Sequence, residues 1–461
     1  GLPGDGVGLN YHDGLFRQTF VDNKQREEAN PWITEQSWLT RTDCHFEIPF
    51  KDFTLTSTMY DIDVPGYQNG CNKLHLFDLD SVDESVIGDG ISFDKKDIAR
   101  NLTLFLYPDD SDEDGRLLRI YQQYFMVSAG AQLILNECAA RGCNYHDLAD
   151  YAAIQINDTH PSMVIPELIR LLEKHGISFD EAVQIVTDTC AYTNHTILAE
   201  ALEKWPRHYL DTVVPQLMPI IEKLDDIAKT RTTDSSLAII DQNQVVHMAH
   251  MDIHFSHSTN GVAALHTQIL KESELAGFYQ MYPNKFNNKT NGITQRRFLL
   301  HGNPLLADWV TDKIGNEWIT DLSNIKKLSV YVDDEKCQQE FMNIKYQNKI
   351  RLAKYIKEHN GIDVDPRSIF DVQVKRLHEY KRQLMNILHV MYLYNQLKDN
   401  PNMDIVPRTF IFGAKAAAGY KRAKLTIKLI NNVADVINND KSIGGKLKVV
   451  FIEDYRVSNA E

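Results

Sequence analysis

Basic residues follow three apolar segments in the last hundred residues of the sequence. Lys375 and Arg376 come directly after the first segment, Lys381 stands one helical turn further on, and Lys415 and Arg456 follow the next two segments. Two like charges ~6 Å apart repel by roughly 3 kcal/mol at an effective dielectric near 20. A bound anion removes this cost and adds charge-assisted hydrogen bonds. These residues therefore indicate a site for a phosphate-bearing ligand, with side chains that simply point apart into water as the alternative.

A second set of polar residues follows apolar segments in the first half of the chain. Asp158 and His160 come after one segment, and Asn194 and His195 after the next. A carboxylate and imidazoles near a cleft suit hydrogen bonding to sugar hydroxyls, and they also suit general acid–base chemistry. Taken singly, each of them is more often a helix cap or a hydrogen-bonded core histidine.

Histidines at 247, 250, 254 and 257 form a pattern that could suggest a metal site. Their spacing places imidazoles on one helix face, as in zinc sites. No cysteine lies near them and no HExxH pattern is present. We interpret this segment as a structural helix and expect no metal.

Alternating strand and helix patterns must position these residues. We expect strands at 153–156, 183–186, 369–374, 409–412 and 447–452, and helices at 117–141, 197–205, 378–398 and 420–438. Residues 157–159 read as a helix cap with Pro161 in the first turn, and the first hundred residues read as loops and short strands. The alternation predicts a doubly wound α/β fold with parallel strands, in which ligands sit beyond the carboxyl ends of the strands.

The helical spacing also predicts which side chains are buried. One face of the helix at 378–398 is expected to carry Leu384, Leu388, Met391 and Tyr394. The expected buried residues of the helix at 420–438 are Leu425, Leu429, Val433 and Val436. The amino end of the helix that follows Arg376 should offer free N–H groups and a positive dipole end to an anion.

The composition excludes several classes of protein. The chain has 461 residues, of which 43% are hydrophobic and 24% charged, as in an ordinary globular protein. Its net charge of -14 argues against nucleic-acid binding and against binding to anionic membranes. No apolar run has the length of a membrane helix. Six cysteines without CxxC spacing indicate reduced thiols and a cytoplasmic location.

Six segments resemble motifs of the α-glucan phosphorylases, the glycogen and maltodextrin enzymes. They are 156–161 (INDTHP), 189–196 (TCAYTNHT), 289–297 (KTNGITQRR), 370–384 (FDVQVKRLHEYKRQL), 413–420 (GAKAAAGY) and 453–458 (EDYRVS). Their number, length and order make chance agreement implausible. The chain is therefore identified as a member of this family, truncated at both ends.

The resemblance implies a glycosyltransferase-B-like architecture of two doubly wound, Rossmann-like domains, both incomplete. Residues 1–290 would form the N-terminal glucan-binding and catalytic domain, and residues 291–461 the C-terminal cofactor and phosphate domain. Catalysis is expected in the interdomain cleft. The intact enzyme is expected to be a cytoplasmic homodimer, and this fragment to be inactive.

The resemblance also implies roles for single residues. The expected catalytic residues are His195, Lys375, Arg376 and Lys381. The expected substrate-binding residues are Asp158, His160, Asn194, Asn291, Tyr380 and Tyr420. The expected contacts to pyridoxal 5′-phosphate are Lys375, Tyr455 and Arg456. The lysine that holds this cofactor as a Schiff base and the family's glycine-rich phosphate loop are expected to lie outside this chain.

The implied reaction is retaining phosphorolysis of α-1,4-glucan by inorganic phosphate, in which the cofactor phosphate relays a proton to the substrate phosphate. Two alternatives remain open. One is a non-catalytic glucan-binding relative that has lost the cofactor. The other is a nucleotide-sugar glycosyltransferase of the same architecture, which would need a nucleotide pocket beside Lys375 and Arg376.

Overall fold

The computed structural model describes residues 4–32, 38–66 and 69–461 and divides into two compact units. The first unit is Gly1–Leu15 with Asn30–Asn291, and the second is Phe16–Ala29 with Gly292–Glu461. A two-part division near residue 290 was expected from the sequence, but the structure assigns Phe16–Ala29 to the second unit although it lies near the amino terminus.

Strands and helices alternate along most of the described chain. The strands are β1 (Gly6–Leu9), β2 (Arg17–Val21), β3 (Lys24–Glu28), β4 (Thr40–Pro49), β5 (Thr54–Pro65), β6 (Cys71–Asp78), β7 (Ile154–Asn157), β8 (Cys190–Thr193), β9 (Lys204–Pro206), β10 (Val245–His247), β11 (Ser258–Gly261), β12 (Phe286–Asn288), β13 (Ile369–Val374), β14 (Arg408–Gly413) and β15 (Leu447–Phe451). The α-helices are α1 (Ile98–Asn101), α2 (Glu113–Ala140), α3 (Leu148–Tyr151), α4 (Val164–Lys174), α5 (Phe179–Thr189), α6 (Arg207–Val213), α7 (Met218–Arg231), α8 (Met248–His254), α9 (Ala264–Ile269), α10 (Ala276–Met281), α11 (Pro304–Ile314), α12 (Glu335–Asn360), α13 (Gln383–Asp399), α14 (Lys421–Asn439) and α15 (Val457–Ala460).

The first unit contains a mixed sheet and a parallel sheet. The mixed sheet has the order β1-β6-β5-β4, and its strands β4 and β5 run for 10 and 12 residues. The expectation of only short strands in this region was therefore wrong. The parallel sheet has the order β12-β11-β8-β7. Its parallel pairing confirms the α/β prediction for this half of the chain.

Three local predictions in the first unit were wrong. Residues 183–186 lie in α5 rather than in a strand, because Ser178 caps this helix and its apolar residues face α4 at helical spacing. Residues 197–205 form a short 3₁₀ turn and then β9, which pairs with β10, instead of a helix. Helix α4 begins at Val164, so residues 157–159 do not cap it: Asn157 ends β7, and Asp158 and Thr159 lie in the turn that follows.

The second unit is built on the parallel sheet β13-β14-β15. Its three strands match the predicted segments within one residue at either end. Helices cover both faces, as the doubly wound prediction requires. Phe410 and Phe412 of β14 pack with residues of α13 and α14, whereas Ile411 between them packs with Ile356 of α12.

The buried faces of α13 and α14 match the prediction only in part. On α13, Met391 and Tyr394 are half-buried, but Leu384 and Leu388 are about half exposed, and Ile387 and Val390 are buried instead. On α14, Leu429 and Val433 are half-buried and pack against the core, whereas Leu425 and Val436 are exposed. The fully buried apolar positions are Ala423, Ile427, Ile430, Ala434 and Ile437. Both helices carry apolar residues on several faces, so periodicity alone did not identify the side that meets the sheet.

Strand β13 lies at the edge of this sheet and pairs with β14 alone among the described residues. Its residues Ile369 and Val372 are 41% and 54% exposed. They line a largely apolar groove of about 510 Å³ together with side chains such as Phe341 and Leu352 of α12.

The β2–β3 hairpin of Phe16–Ala29 belongs to the second unit and packs on α14. Its strands pair antiparallel from Arg17 opposite Glu28 to Val21 opposite Lys24. Gln18 and Gln25 are buried, at 0% and 5% exposure. Nothing in the local sequence indicated that this hairpin would pack against residues more than 390 positions away.

Among the described residues, we find no helix with the length and apolar character needed to span a bilayer.

Candidate functional site

The basic residues of the second unit follow the carboxyl ends of β13, β14 and β15, as the sheet topology predicts. The backbone N–H of Lys375 donates to the carbonyl of Gly413 at 2.9 Å, and the N–H of Leu377 donates to the carbonyl of Lys415 at 3.1 Å. Hydrogen bonding therefore continues past the strands and holds the loops after β13 and β14 side by side.

Lys381 lies among other positive charges. Its side chain is partly buried, and burial together with the charges of Arg376 and Lys375 lowers its pKa. Lys381 belongs to a single 3₁₀ turn, Glu379–Lys381, and α13 begins only at Gln383. The predicted helix amino end directly after Arg376 was therefore wrong, because Arg382 adopts a left-handed conformation with φ of 61° that separates the turn from the helix.

Lys415 joins the loop after β14 to the loop after β15. Its ammonium lies 2.9 Å from Oδ1 of Asp454, and Arg456 Nη1 lies 3.0 Å from Oδ2 of the same carboxylate. Burial lowers the pKa of Lys415, and the charges of Arg456 and Arg376 lower it further, while Asp454 opposes this shift. Positive charges from all three strand ends therefore influence one another.

We call Lys375, Arg376, Lys381, Lys415 and Arg456 the cationic cluster. Such a group of like charges, partly removed from water, has the electrostatic character of a phosphate site, since phosphate provides the missing negative charge and several acceptor oxygens.

Two predicted aromatic residues lie next to this cluster. The hydroxyl of Tyr420 donates to Glu379 Oε2 at 2.5 Å, and its ring packs edge-on against His378 at 5.3 Å. The ring of Tyr380 lies 4.2 Å from that of His378 and 5.7 Å from the Lys381 ammonium. Tyr455 is half-buried directly before Arg456.

Polar residues of the first unit gather at the carboxyl end of its parallel sheet. His195 Nε2 lies 2.6 Å from Asn157 Oδ1, which joins the ends of β7 and β8. The ring of His195 is exposed, whereas Asn194 is buried and donates from Nδ2 to the Tyr192 hydroxyl at 3.2 Å. The exposed imidazole is thus held by an amide and remains open to a ligand.

Asp158 and His160 belong to the turn that follows β7. Asp158 has φ of 66°, and its carboxylate accepts a hydrogen bond from the Thr159 N–H at 2.7 Å. His160 Nε2 lies 3.1 Å from Arg119 Nη2 of α2, which also contacts Glu203 at 3.3 Å. Asp158 and His160 are therefore ordered by local contacts.

Asn291 is exposed and follows β12 by three residues. It belongs to the same unit as His195, and its strand is separated from β8 by β11.

Asp252 was not selected by any sequence pattern. It is fully buried, and Ser162, two residues after His160, donates a hydrogen bond to its Oδ2 at 2.6 Å. Burial, with the charges of Asp158 and Glu203, raises the pKa of Asp252 well above its usual range. A buried carboxyl group with a raised pKa therefore contacts, through Ser162, the segment that carries Asp158 and His160.

The histidines at 247–257 include a buried ring, His254, and a half-buried ring, His250, on α8. His254 Nε2 lies 2.8 Å from the Leu237 carbonyl and Nδ1 lies 2.8 Å from the Tyr282 hydroxyl, while His250 Nδ1 lies 2.7 Å from the Ala238 carbonyl. Within the described residues, no three side chains of His, Cys, Asp or Glu are grouped as metal ligands would be.

These two histidines should make the fold sensitive to acid. Burial lowers the pKa of both His250 and His254 to about 4. In the unfolded chain each ring binds a proton near pH 6.5, so the stability that depends on their neutral state is complete above pH 6.5 and is lost as pH falls towards 4. We expect the free energy of unfolding in urea to fall by about 2 kcal/mol per histidine between pH 7.5 and pH 5.

The double variant His250→Gln/His254→Gln should flatten this dependence even if it lowers stability at pH 7.5. The exposed His208→Gln serves as the matched control and should keep the wild-type dependence. An unchanged slope in the double variant would contradict the assignment.

Comparisons with known proteins agree with this geometry. The family model described as carbohydrate phosphorylase matches residues 1–461. The chain is 58% identical to a maltodextrin phosphorylase of Streptococcus pneumoniae over 461 residues, which are 100% of this chain and 61% of that protein. It is 41% identical to a glycogen phosphorylase of Bacillus subtilis over 491 residues, and 39% identical to the muscle glycogen phosphorylase of Oryctolagus cuniculus over 504 residues.

Both of these alignments cover the whole of this chain. They cover 61% of the Bacillus subtilis protein and 60% of the Oryctolagus cuniculus protein. The chain thus spans about three fifths of the length of the curated relatives it matches. The match confirms the predicted glycosyltransferase-B-like α/β class. Together with the motif residues at the strand ends, it shows that this chain belongs to the carbohydrate phosphorylase family.

Proposed function

We propose that the protein carrying this chain is an α-1,4-glucan phosphorylase, a glycosyltransferase that releases terminal glucosyl units as glucose 1-phosphate with retention of configuration. The observation that carries this proposal is the cationic cluster, which brings together cations from the ends of three neighbouring strands. Burial lowers the pKa values of Lys381 and Lys415, and neighbouring cations lower them further. An acidic protein gains nothing from such a cluster unless it binds anions.

The cluster has enough charge for two neighbouring phosphoryl groups. Five cations follow the three strand ends, and Asp454 offsets part of the charge of Lys415 and Arg456. Inorganic phosphate as the substrate and the phosphate of pyridoxal 5′-phosphate as the cofactor fit this donor set. Lys375, Tyr455 and Arg456 would hold the cofactor phosphate. When bound, the cofactor supplies a phosphate group that exchanges a proton with the substrate phosphate.

The remaining cations would act on the substrate phosphate. Lys381 and Arg376 would bind its oxygens and stabilise the negative charge that faces the positively charged glucosyl unit in the transition state. The partial burial of Lys381 strengthens this interaction because water screens it less.

Groups of the first unit would bind the glucan. His195, fixed by Asn157, is proposed to hydrogen-bond the glucosyl unit, together with Asn194 and Asn291. Asp158 and His160 are proposed to bind sugar hydroxyls on the acceptor side. In the second unit, Tyr380 and Tyr420 offer aromatic faces and hydroxyl groups for further sugar contacts.

The family relationship supports several wider proposals. We propose that residues 1–290 serve glucan binding and catalysis, and that residues 291–461 serve the cofactor and phosphate. We also propose a cytoplasmic homodimer that binds neither nucleic acid nor membranes, in keeping with the net charge of -14.

An assay of the intact protein tests the proposal. With maltodextrin, inorganic phosphate and pyridoxal phosphate, it should release α-glucose 1-phosphate, and omission of phosphate should abolish the product. Glucosyl transfer from a nucleotide sugar without phosphorolysis would favour the glycosyltransferase alternative. Binding of maltodextrin without any product would favour the non-catalytic relative.

A further inference from the structure

Two buried glutamines of the β2–β3 hairpin contact the loop that carries Lys415. Gln25 accepts a hydrogen bond at Oε1 from the N–H of Ala416 at 2.9 Å and donates from Nε2 to the carbonyl of Ala416 at 3.0 Å. Gln18 donates from Nε2 to the carbonyl of Ala414 at 2.8 Å and to Gln25 Oε1 at 2.8 Å. The two amides therefore hold the backbone on both sides of Lys415.

Gln18 also holds Asp454 in the loop after β15. The backbone N–H of Gln18 donates to Asp454 Oδ1 at 3.1 Å, and the N–H of Asp454 donates to Gln18 Oε1 at 3.0 Å. Asp454 has φ of 59°, a left-handed conformation that costs free energy for a residue other than glycine. This reciprocal pair of hydrogen bonds stabilises that conformation.

Asp454 in turn sets the position of two cations. Its Oδ1 lies 2.9 Å from the Lys415 ammonium and its Oδ2 lies 3.0 Å from Arg456 Nη1. Lys415 is only 6% exposed, and its ammonium also lies 5.3 Å from the ring centre of Phe16, the first residue of the hairpin segment. A carboxylate between two cations offsets their mutual repulsion while no anion is bound.

We propose that Gln18 and Asp454 are positioning residues of the anion site, with Gln18 fixing the loop conformation of Asp454 and Asp454 orienting Lys415 and Arg456. This inference rests on the proposed function for its link to catalysis. It assigns to the β2–β3 hairpin, which lies 436 residues from Asp454 in sequence, the task of shaping the phosphate-binding loops.

The variant Gln18→Met tests the first part. Methionine keeps the volume of the side chain but has no amide, so the hydrogen bonds to Asp454 N–H, Ala414 and Gln25 are lost. In the intact protein we expect the KM for inorganic phosphate to rise tenfold or more, while the KM for maltodextrin stays within twofold. The dissociation constant of inorganic phosphate, measured by calorimetry on the same proteins, should rise by the same factor.

The variant Asp454→Asn tests the second part and covers the case in which Gln18→Met does not fold. Asparagine tolerates the left-handed conformation and keeps the backbone N–H and one acceptor oxygen, but it removes the charge and replaces the second acceptor oxygen with an NH₂ donor. Because Asp454 opposes the other effects on the pKa of Lys415, its loss should lower that pKa. Phosphate affinity should therefore decline at a lower pH than in the wild type, with a threefold to tenfold loss at pH 8.

Asn23→Gly is the matched control at the other end of the hairpin. Asn23 has φ of 64° and donates to Asp435 of α14 at 2.6 Å, far along the hairpin from Gln18. This variant should leave both KM values unchanged. Two results would overturn the inference. One is an Asp454→Asn variant whose phosphate affinity equals that of the wild type and declines at the same alkaline pH. The other is a folded Gln18→Met variant with the wild-type KM for phosphate. If the wild type binds phosphate but shows no phosphorolysis, the proposed function fails. The phosphate dissociation constants of the wild type and the variants, compared by calorimetry, still test whether Gln18 and Asp454 position the site.

Discussion

Lys381→Ala should reduce phosphorolysis by the intact protein about a hundredfold to a thousandfold at saturating glucan, the range found when a charge-stabilising group is removed from an active site. The expected loss follows from the position of Lys381, whose pKa is lowered by burial and by Arg376 and Lys375, so that its charge is poorly screened by water. Initial rates of glucose 1-phosphate release measure the effect, and a thermal unfolding curve checks that the fold is intact.

Two further variants make this experiment specific. Lys381→Arg keeps the charge but changes its geometry, so it should recover part of the activity. Lys354→Ala removes a lysine whose side chain is 77% exposed on α12, and it should keep wild-type rates. Near-normal turnover of Lys381→Ala would remove Lys381 from the catalytic site.

Glu167→Met should lower the free energy of unfolding by about 3–5 kcal/mol, because it leaves a buried charge without its partner. Glu167 is fully buried in α4, where it accepts hydrogen bonds from the Tyr124 hydroxyl and from Arg170, whose Nη2 lies 3.3 Å from Oε2. The Arg170 side chain is only 12% exposed, so water cannot replace the lost carboxylate. Urea unfolding followed by circular dichroism measures the change.

Glu173→Met is the control on the same helix. Glu173 is exposed, so its replacement should change stability by less than about 0.5 kcal/mol. Glu167→Gln keeps an acceptor oxygen, so its loss of unfolding free energy should lie between those of Glu167→Met and Glu173→Met. Equal effects of Glu167→Met and Glu173→Met would contradict the assignment of a buried ion pair.

The sheet of the second unit was predictable because its strands are short apolar runs that end in charged or glycine-containing segments. β13 coincides with the predicted 369–374. The same reasoning failed at 183–186, where Val183 and Val186 suit a strand equally well. There the Ser178 cap and packing against α4 stabilise a helix. The packing against α4 is a tertiary contact, which sequence periodicity does not reveal.

The cationic cluster was predictable to the extent that strand ends of a parallel sheet lie on one edge. Lys375, Arg376 and Lys381 could be selected in this way, and their mutual influence on the pKa of Lys381 agrees with that expectation. Gln18 and Asp454 could not be selected from the sequence, because neither a hydrogen bond across 436 residues nor a left-handed φ leaves a local sequence pattern.

The edge of β13 that pairs with no strand of the described chain has a practical consequence for handling this polypeptide. An edge strand presents unpaired backbone N–H and C=O groups, which can pair with strands of other molecules. On β13 these groups are flanked by exposed apolar side chains such as Ile369 and Val372. Concentrated samples of the chain alone should therefore self-associate through β13, and a charged replacement such as Val372→Lys should keep them dispersed in light-scattering measurements.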